Sequence, residues 1–150
     1  MGRKKLYFRF SLVALWCLVI FMFSTQNASE SSQTSGFFLM QIGNFIGIDL
    51  LSLPFIDVLQ FIIRKGAHMF SYFVLGILSY RAFKLVQPLK AFRYAGLFTV
   101  LYACSDEFHQ LFVPGRSGQM LDVLIDSLGM LIGFFLLFMI ERYKRKRVKA

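Results

Sequence analysis

Four apolar runs bordered by Lys or Arg dominate this chain, and such a run has few ways to fold. In a bilayer its backbone polar groups must be satisfied within the segment, which leaves the α-helix. The runs are Phe10 to Phe23, Ala67 to about Val86, about Arg93 to Phe112 and about Met120 to Ile140. With 57% hydrophobic residues, 19 of them Phe, and a mean hydropathy of +0.60, the apolar share exceeds the roughly 45–50% of a soluble domain. The sequence therefore predicts a single all-α domain over residues 1–150, an integral membrane four-helix bundle. Spanning helices are expected at about 6–24, 67–86, 93–112 and 120–140, with an outer loop at 25–66 and a basic tail at 141–150.

The first run has about 14 residues, short of the roughly 20 that a span needs. Leu6, Tyr7 and Phe8 lengthen it if Arg9 snorkels to the headgroups. A cleaved signal peptide is the competing reading, but no small-x-small cleavage site follows, so a retained first helix is favoured. Ser24 to Ser35 (STQNASESSQTS) is polar and free of periodicity and is read as an exposed linker. Its Asn27-Ala28-Ser29 triplet carries no weight, because such triplets arise by chance in Ser-rich stretches. From Gly36 to Arg64 apolar residues are interrupted by Gln41, Asn44, Asp49, Pro54, Asp57 and Gln60, so interfacial helices in the first extracytoplasmic loop are expected there. After Pro54, Phe55, Val58, Leu59 and Ile62 follow helical spacing.

Charge sets the orientation. Of the 17 Lys and Arg, four precede the first helix, four (Arg81, Lys84, Lys90, Arg93) separate the second and third, and six lie in the tail. The positive-inside rule then places both termini in the cytoplasm, with the bacterial plasma membrane as the expected location. The net charge of +9 does not imply nucleic acid, because the cations gather at the ends of apolar runs rather than on one soluble face. The tail is suited to anionic lipid. Cys17 and Cys104 lie inside apolar runs and are read as small buried hydrophobes, not a disulfide.

Between Tyr102 and Gly129 the chain concentrates Ser105, Asp106, Glu107, His109, Gln110, Arg116, Asp122 and Asp126. Ionisable groups in or beside spans are costly and mark functional sites by default. At about 1.5 Å per residue, Tyr72 stands about 18 Å from Lys84, Asp106 about 20 Å from Arg93 and Asp126 about 22 Å from Glu141. That is one shared level, in the outer third of a core about 30 Å thick. Lys65, His68, Tyr72 and Gly76 share a stripe on the second helix, Tyr102, Asp106, His109 and Gln110 on the third, and Asp122, Asp126, Gly129 and Gly133 on the fourth. Glycines suit close helix approach, and the carboxylates suit a pocket above that contact. His68, Tyr72, Asp106, Gln110, Arg116, Asp122 and Asp126 are therefore expected to converge on one outward cavity. Glu107 lies about 100° off the Asp106 stripe, which leaves a headgroup-facing or neighbouring-helix role as open as a catalytic one.

Three blocks in order, Arg64-Lys65-x-x-His68-x-x-x-Tyr72, then Ser105-Asp106-Glu107-x-x-Gln110-x-Phe112-x-Pro114-Gly115-Arg116, then Asp122-x-x-x-Asp126-x-x-Gly129, resemble the signature of the VanZ-like membrane protein family. The resemblance covers roughly Leu53 to Gly133. It implies a small helical membrane protein, associated in some members with resistance to teicoplanin-type glycopeptides.

Two uses of the polar layer stay open. A binding protein would hold an anionic cell-envelope lipid or wall precursor with Lys65, His68, Tyr72, Asp106, Gln110, Arg116, Asp122 and Asp126. An enzyme acting on a lipid-linked or headgroup substrate would draw its acid and base from His68, Asp106, Glu107 and His109, with Arg116 or Lys65 against phosphate. A plainer reading pairs Asp106 or Asp126 with Arg116 or Lys65 to hold helices together, but it leaves the shared depth unexplained. A metal site from His68, His109 and carboxylates is conceivable, but with no His-x-x-x-His or Cys pair neither a metal nor another cofactor is expected. A transporter would need polar groups through the inner half, and Val74 to Leu78, Leu97 to Leu101 and Gly133 to Ile140 offer almost none. Membrane lipids are the expected partners, nucleic acid is not, and the oligomeric state is left open.

A Cys placed in the basic tail should label only from the cytoplasmic side in an accessibility experiment. Labelling from the opposite side would refute the orientation.

Overall fold

The computed structural model describes residues 2–149, with side chains described through residue 147; Met1 and Ala150, the last residue of the basic tail, lie outside the described residues. Five helices carry the fold: α1 (Arg3–Ser24), α2 (Ala28–Ile46), α3 (Ile56–Val86), α4 (Ala91–Gln110) and α5 (Met120–Lys149), with 3₁₀ turns at Leu50–Ser52 and Pro88–Lys90. The protein is all-helical, with no strand among the described residues. α1, α3 and α5 are long and apolar enough to cross a membrane. α4, at 20 residues, is about 30 Å long, and its polar last turns set it apart from those three.

Large apolar residues cover the outside of the bundle, and α4 turns small ones inward. On α4 the buried positions Ala91, Ala95, Thr99 and Ala103 recur every fourth residue, while Leu97 and Leu101 are exposed. α5 likewise exposes Leu128, Leu131, Phe135 and Phe138. Lipid solvates such a rim as well as protein would, so helices associate through close packing of small side chains and not by hiding leucines.

α3 is the central helix and touches α1, α2, α4 and α5. α1 is fastened by side chains that donate to backbone carbonyls: Trp16 Nε1 to Ser71 O at 2.9 Å and Arg9 Nη1 to Arg81 O at 2.7 Å. From α4, the Tyr102 hydroxyl donates to Cys17 O at 2.6 Å. These bonds supply the partners that buried Trp and Tyr polar atoms require.

α3 and α5 run parallel at backbone-contact distance. A Cβ on Gly129 would collide with the Met69 carbonyl oxygen, and one on Gly133 would come 2.9 Å from Phe73 O. Gly76 answers from α3, where a Cβ would lie 3.0 Å from Met130 Cγ. At one end of this seam Lys65 pairs with Asp122, and at the other Lys84 pairs with Glu141, which also accepts from the Tyr80 hydroxyl at 2.7 Å.

Three segments differ from the sequence expectation. The Ser24 to Ser35 stretch, expected as a linker, turns helical at Ala28, because Asn27 and Glu30 form a capping box with both bonds at 2.9 Å. Each side chain satisfies an orphan donor of the first turn. α2 then buries Ser31, Ser35, Leu39 and Gly43, again every fourth residue, and ends at Gly47, whose φ of 75° suits a residue without Cβ. The amphipathic piece after Pro54 is not separate. It is the start of α3, which continues past Arg64 and Lys65 because both find partners and no stop signal intervenes. The basic tail continues α5, helped by Arg145 lying 3.8 Å from Glu141 one turn earlier. Cys17 is half-buried and Cys104 exposed, both free.

The α3–α5 seam predicts a contrast between two glycines. Gly129→Ala should cost about 1–3 kcal/mol, because the clash is with backbone that cannot rotate away. Gly66→Ala, with nothing within 4 Å, should be neutral or stabilising by up to about 1 kcal/mol through helix propensity. Unfolding of each variant in detergent micelles checks both.

Candidate functional site

A cavity of about 300 Å³ opens at the polar end of the bundle, between the end of α1, the first half of α2 and the upper part of α3. Trp16, Ile20, Phe23, Phe38, Ile63 and Phe70 give it apolar walls. Its polar margin holds Ser24, Gln26, Ser31, Thr34, Ser35, Arg64, His68, Ser71, Asp106 and Arg116, with Tyr72 also in the lining. A mainly apolar cleft with a few convergent polar groups is the usual form of a small-ligand site.

Arg116 reaches the cavity because of the turn before it. Arg116 N–H donates to Val113 O at 3.1 Å across Pro114-Gly115, and Gly115 has φ of 72°, the arrangement of a type II turn. The turn packs on the α1–α2 junction: Ala28 N–H donates to Pro114 O at 3.3 Å and Arg116 Nε to Gln26 O at 3.2 Å. Arg64 Nη1 donates to Ser32 Oγ at 3.4 Å. Neither arginine is in an ion pair among the described residues. Burial first, and then the like charge of Arg64, lower the Arg116 guanidinium's pKa from its ordinary value. It stays a cation, since arginine titrates far above neutrality.

A second polar layer lies against the cavity wall. His68 Nδ1 stands 3.5 Å from Asp126 Oδ1, close enough for attraction and too long for a good hydrogen bond. Asp126 is fully buried and Asp106 nearly so. Glu107 is buried as well, which settles its placement: Oε2 accepts from Gln119 N–H at 2.9 Å and Oε1 from Gln110 Nε2 at 3.4 Å. It holds the α4–α5 loop against α4 and does not face headgroups. Tyr72 is fully buried, with its ring 6.4 Å from that of Tyr102.

Of the residues singled out from sequence, His68, Tyr72, Asp106 and Arg116 line the cavity. Lys65, Gln110, Asp122 and Asp126 do not. Lys65 is engaged by Asp122 and lies over the Phe61 ring at 5.1 Å, Gln110 serves Glu107, and Asp126 faces His68. His109 sits to one side, its ring 5.0 Å from that of Phe21. Ser105 is exposed and donates to its own helix at Tyr102 O, 2.7 Å away. The second cation at the cavity is therefore Arg64, not Lys65. Also unforeseen were Trp16, Ser24, Gln26 and the α2 hydroxyls. The signal for the α2 wall was present, because Asn27-x-x-Glu30 before a helical pattern is a helix-start signature.

Chemically, the cavity lining combines two cations, several hydroxyls and an aromatic wall with the Asp106 carboxylate and the His68 imidazole, which Asp126 backs. The first set suits an anionic amphiphile, and the second can hold or pass a proton. A family model described as VanZ/LLP1 matches residues 9–141. No curated protein and no solved structure matches the chain.

If Lys65 and Asp122 serve chiefly to join α3 and α5, Lys65→Met should cost about 1–3 kcal/mol by leaving the Asp122 carboxylate without its partner. The double change Lys65→Met with Asp122→Leu should recover most of that loss. Detergent unfolding of the single and double variants measures the coupling.

Proposed function

This chain belongs to the VanZ/LLP1 family, and from that premise we propose that it is a bacterial plasma-membrane protein that recognises an anionic envelope lipid or wall precursor. The charge split sets both termini in the cytoplasm and turns the polar end of the bundle outward. Binding there lowers susceptibility to teicoplanin-type glycopeptides, which act at the same surface. The observation that carries this reading is the pairing of Arg64 and Arg116, without acidic partners among the described residues, at the mouth of a cleft walled by Trp16, Phe23, Phe38 and Phe70.

Two like charges held beside an apolar cleft favour a ligand that brings an anion for the mouth and a hydrocarbon for the wall. A guanidinium presents two parallel donors to phosphate or carboxylate, and the Pro-Gly turn fixes where those donors point. The Ser31, Thr34 and Ser35 hydroxyls supply neutral contacts to the rest of the headgroup. Binding at the mouth needs no transport path, in keeping with the apolar composition of the opposite half of the bundle.

Native mass spectrometry of the purified protein tests the reading directly. A defined phospholipid or polyprenyl lipid should remain bound. Arg116→Ala should lower its occupancy by about tenfold or more, the loss of one charge-assisted contact. Arg116→Lys keeps the charge without the fork and should fall between, with glycopeptide susceptibility following the same order. Wild-type occupancy and susceptibility in well-inserted Arg116→Ala and Arg64→Ala variants would sink the proposal. Recovery of a chemically altered lipid would instead support acid–base catalysis, for which His68 beside Asp126 at the cavity wall is the motivating observation.

A further inference from the structure

Behind the cavity wall three helices bring together a set of groups that the lipid reading does not use. His68 from α3, Asp106 and Glu107 from α4, and Asp126 from α5 each offer one ligand atom, and these atoms all lie within 4.8 Å of one another. The three carboxylates are buried, Asp126 at 0% exposure. Neither oxygen of Asp126 has a hydrogen-bond partner among the described residues, and the Oδ2 of Asp106 is unpaired beside the equally unpaired hydroxyls of Ser24 and Tyr72. Unsatisfied polar atoms at such depth are rare in a folded protein and call for a partner.

The nearby cations do not provide it. Lys65 is bound to Asp122, and Arg116 is turned to the Gln26 carbonyl. His68 alone faces three carboxylates, and its Nδ1 sits 3.5 Å from Asp126 Oδ1 without forming a hydrogen bond. That spacing is poor for a hydrogen bond but ordinary for two ligands of one ion, which at about 2.1 Å each and a tetrahedral angle stand about 3.4 Å apart. In a tetrahedral site every ligand pair stands about 3.4 Å apart, so the widest pair here, within 4.8 Å, closes by up to about 1.4 Å when the ion enters. Glu107 is already oriented by Gln119 N–H and Gln110 Nε2, the kind of outer support that fixes a ligating carboxylate.

We propose that His68, Asp106, Glu107 and Asp126 form a binding site for a first-row divalent metal ion. One imidazole with carboxylates suits Zn²⁺ or Mn²⁺ better than Mg²⁺ or Ca²⁺, which take oxygen ligands. No short motif announces this site, because its ligands come from three separate helices. His68 and Asp106 also line the cavity, so the ion has a side toward it. The inference stands on the cluster itself and holds whichever ligand the cavity takes.

The test uses the full chain in detergent, stripped with a chelator, dialysed against Zn²⁺ or Mn²⁺ and analysed by elemental mass spectrometry and thermal unfolding. Wild type should retain about one ion per chain and unfold at a higher temperature with the ion than without it. Asp126→Asn and Asp106→Asn, which preserve shape, should weaken retention by about tenfold or more and lose the metal-dependent shift. Cys104→Ser, which removes an exposed thiol, should leave the ion count unchanged. Wild type that retains neither ion and shows no shift overturns the proposal without reference to any variant. So does wild-type retention in both Asn variants.

Discussion

The close approach of α3 and α5 governs the rest of the molecule. Gly129 and Gly133 let α5 lie directly on the Met69 and Phe73 carbonyls, and that contact fixes the rotation and height of both helices at once. With α5 so placed, Asp122 falls opposite Lys65 and Asp126 opposite His68 one turn along. Neither pairing would survive a rotation of either helix, since residues one position apart diverge by about 100°. In lipid, where apolar side chains gain little from facing one another, such van der Waals contact between small residues is what selects a single arrangement. The polar layer is therefore a consequence of backbone packing below it.

α4 and the loop after it complete that layer by a different means. The Ala91, Ala95, Thr99 and Ala103 stripe brings α4 against the other helices, so that its last turn delivers Asp106 and Glu107 inward. Glu107 then holds the start of the next segment through Gln119, while the Pro114-Gly115 turn binds the α1–α2 junction. Arg116 is thus positioned by contacts to two distant parts of the chain. The second cation, Arg64, comes from α3 and is held by its donation to Ser32 on α2.

How much of this could be read from sequence depended on whether one helix sufficed to decide it. The all-helical fold and the glycine contacts follow from spacing within single helices, and the structure contains them; the common level of Tyr72, Asp106 and Asp126 follows from the same spacing. Whether Arg64 or Lys65 faces the cavity depends on where Asp122 lies on another helix, and spacing within α3 is silent on that. Glu107 looked misplaced beside the Asp106 stripe because a buried arc wide enough to hold both arises only when α5 and its loop pack on the same side. α2 was hidden by its serines, which composition assigns to linkers, although as small residues they also suit a helix laid close to another. The Asn27 and Glu30 capping box was the local signal that outweighed them.

The two ion pairs of the α3–α5 seam have a further consequence. Lys65 with Asp122 and Lys84 with Glu141 are separated by the same interval on both helices, about 19 residues or about 28 Å. That length is close to the hydrocarbon thickness of an ordinary bilayer, about 30 Å. The seam therefore measures the membrane: in a layer of matching thickness both pairs sit at the interfaces. A thicker one draws one pair into hydrocarbon, and a thinner one leaves apolar surface in the headgroups, each at a cost per ångström of mismatch. Bilayer thickness thereby becomes a variable that acts on this protein through two bridges locked to one interval.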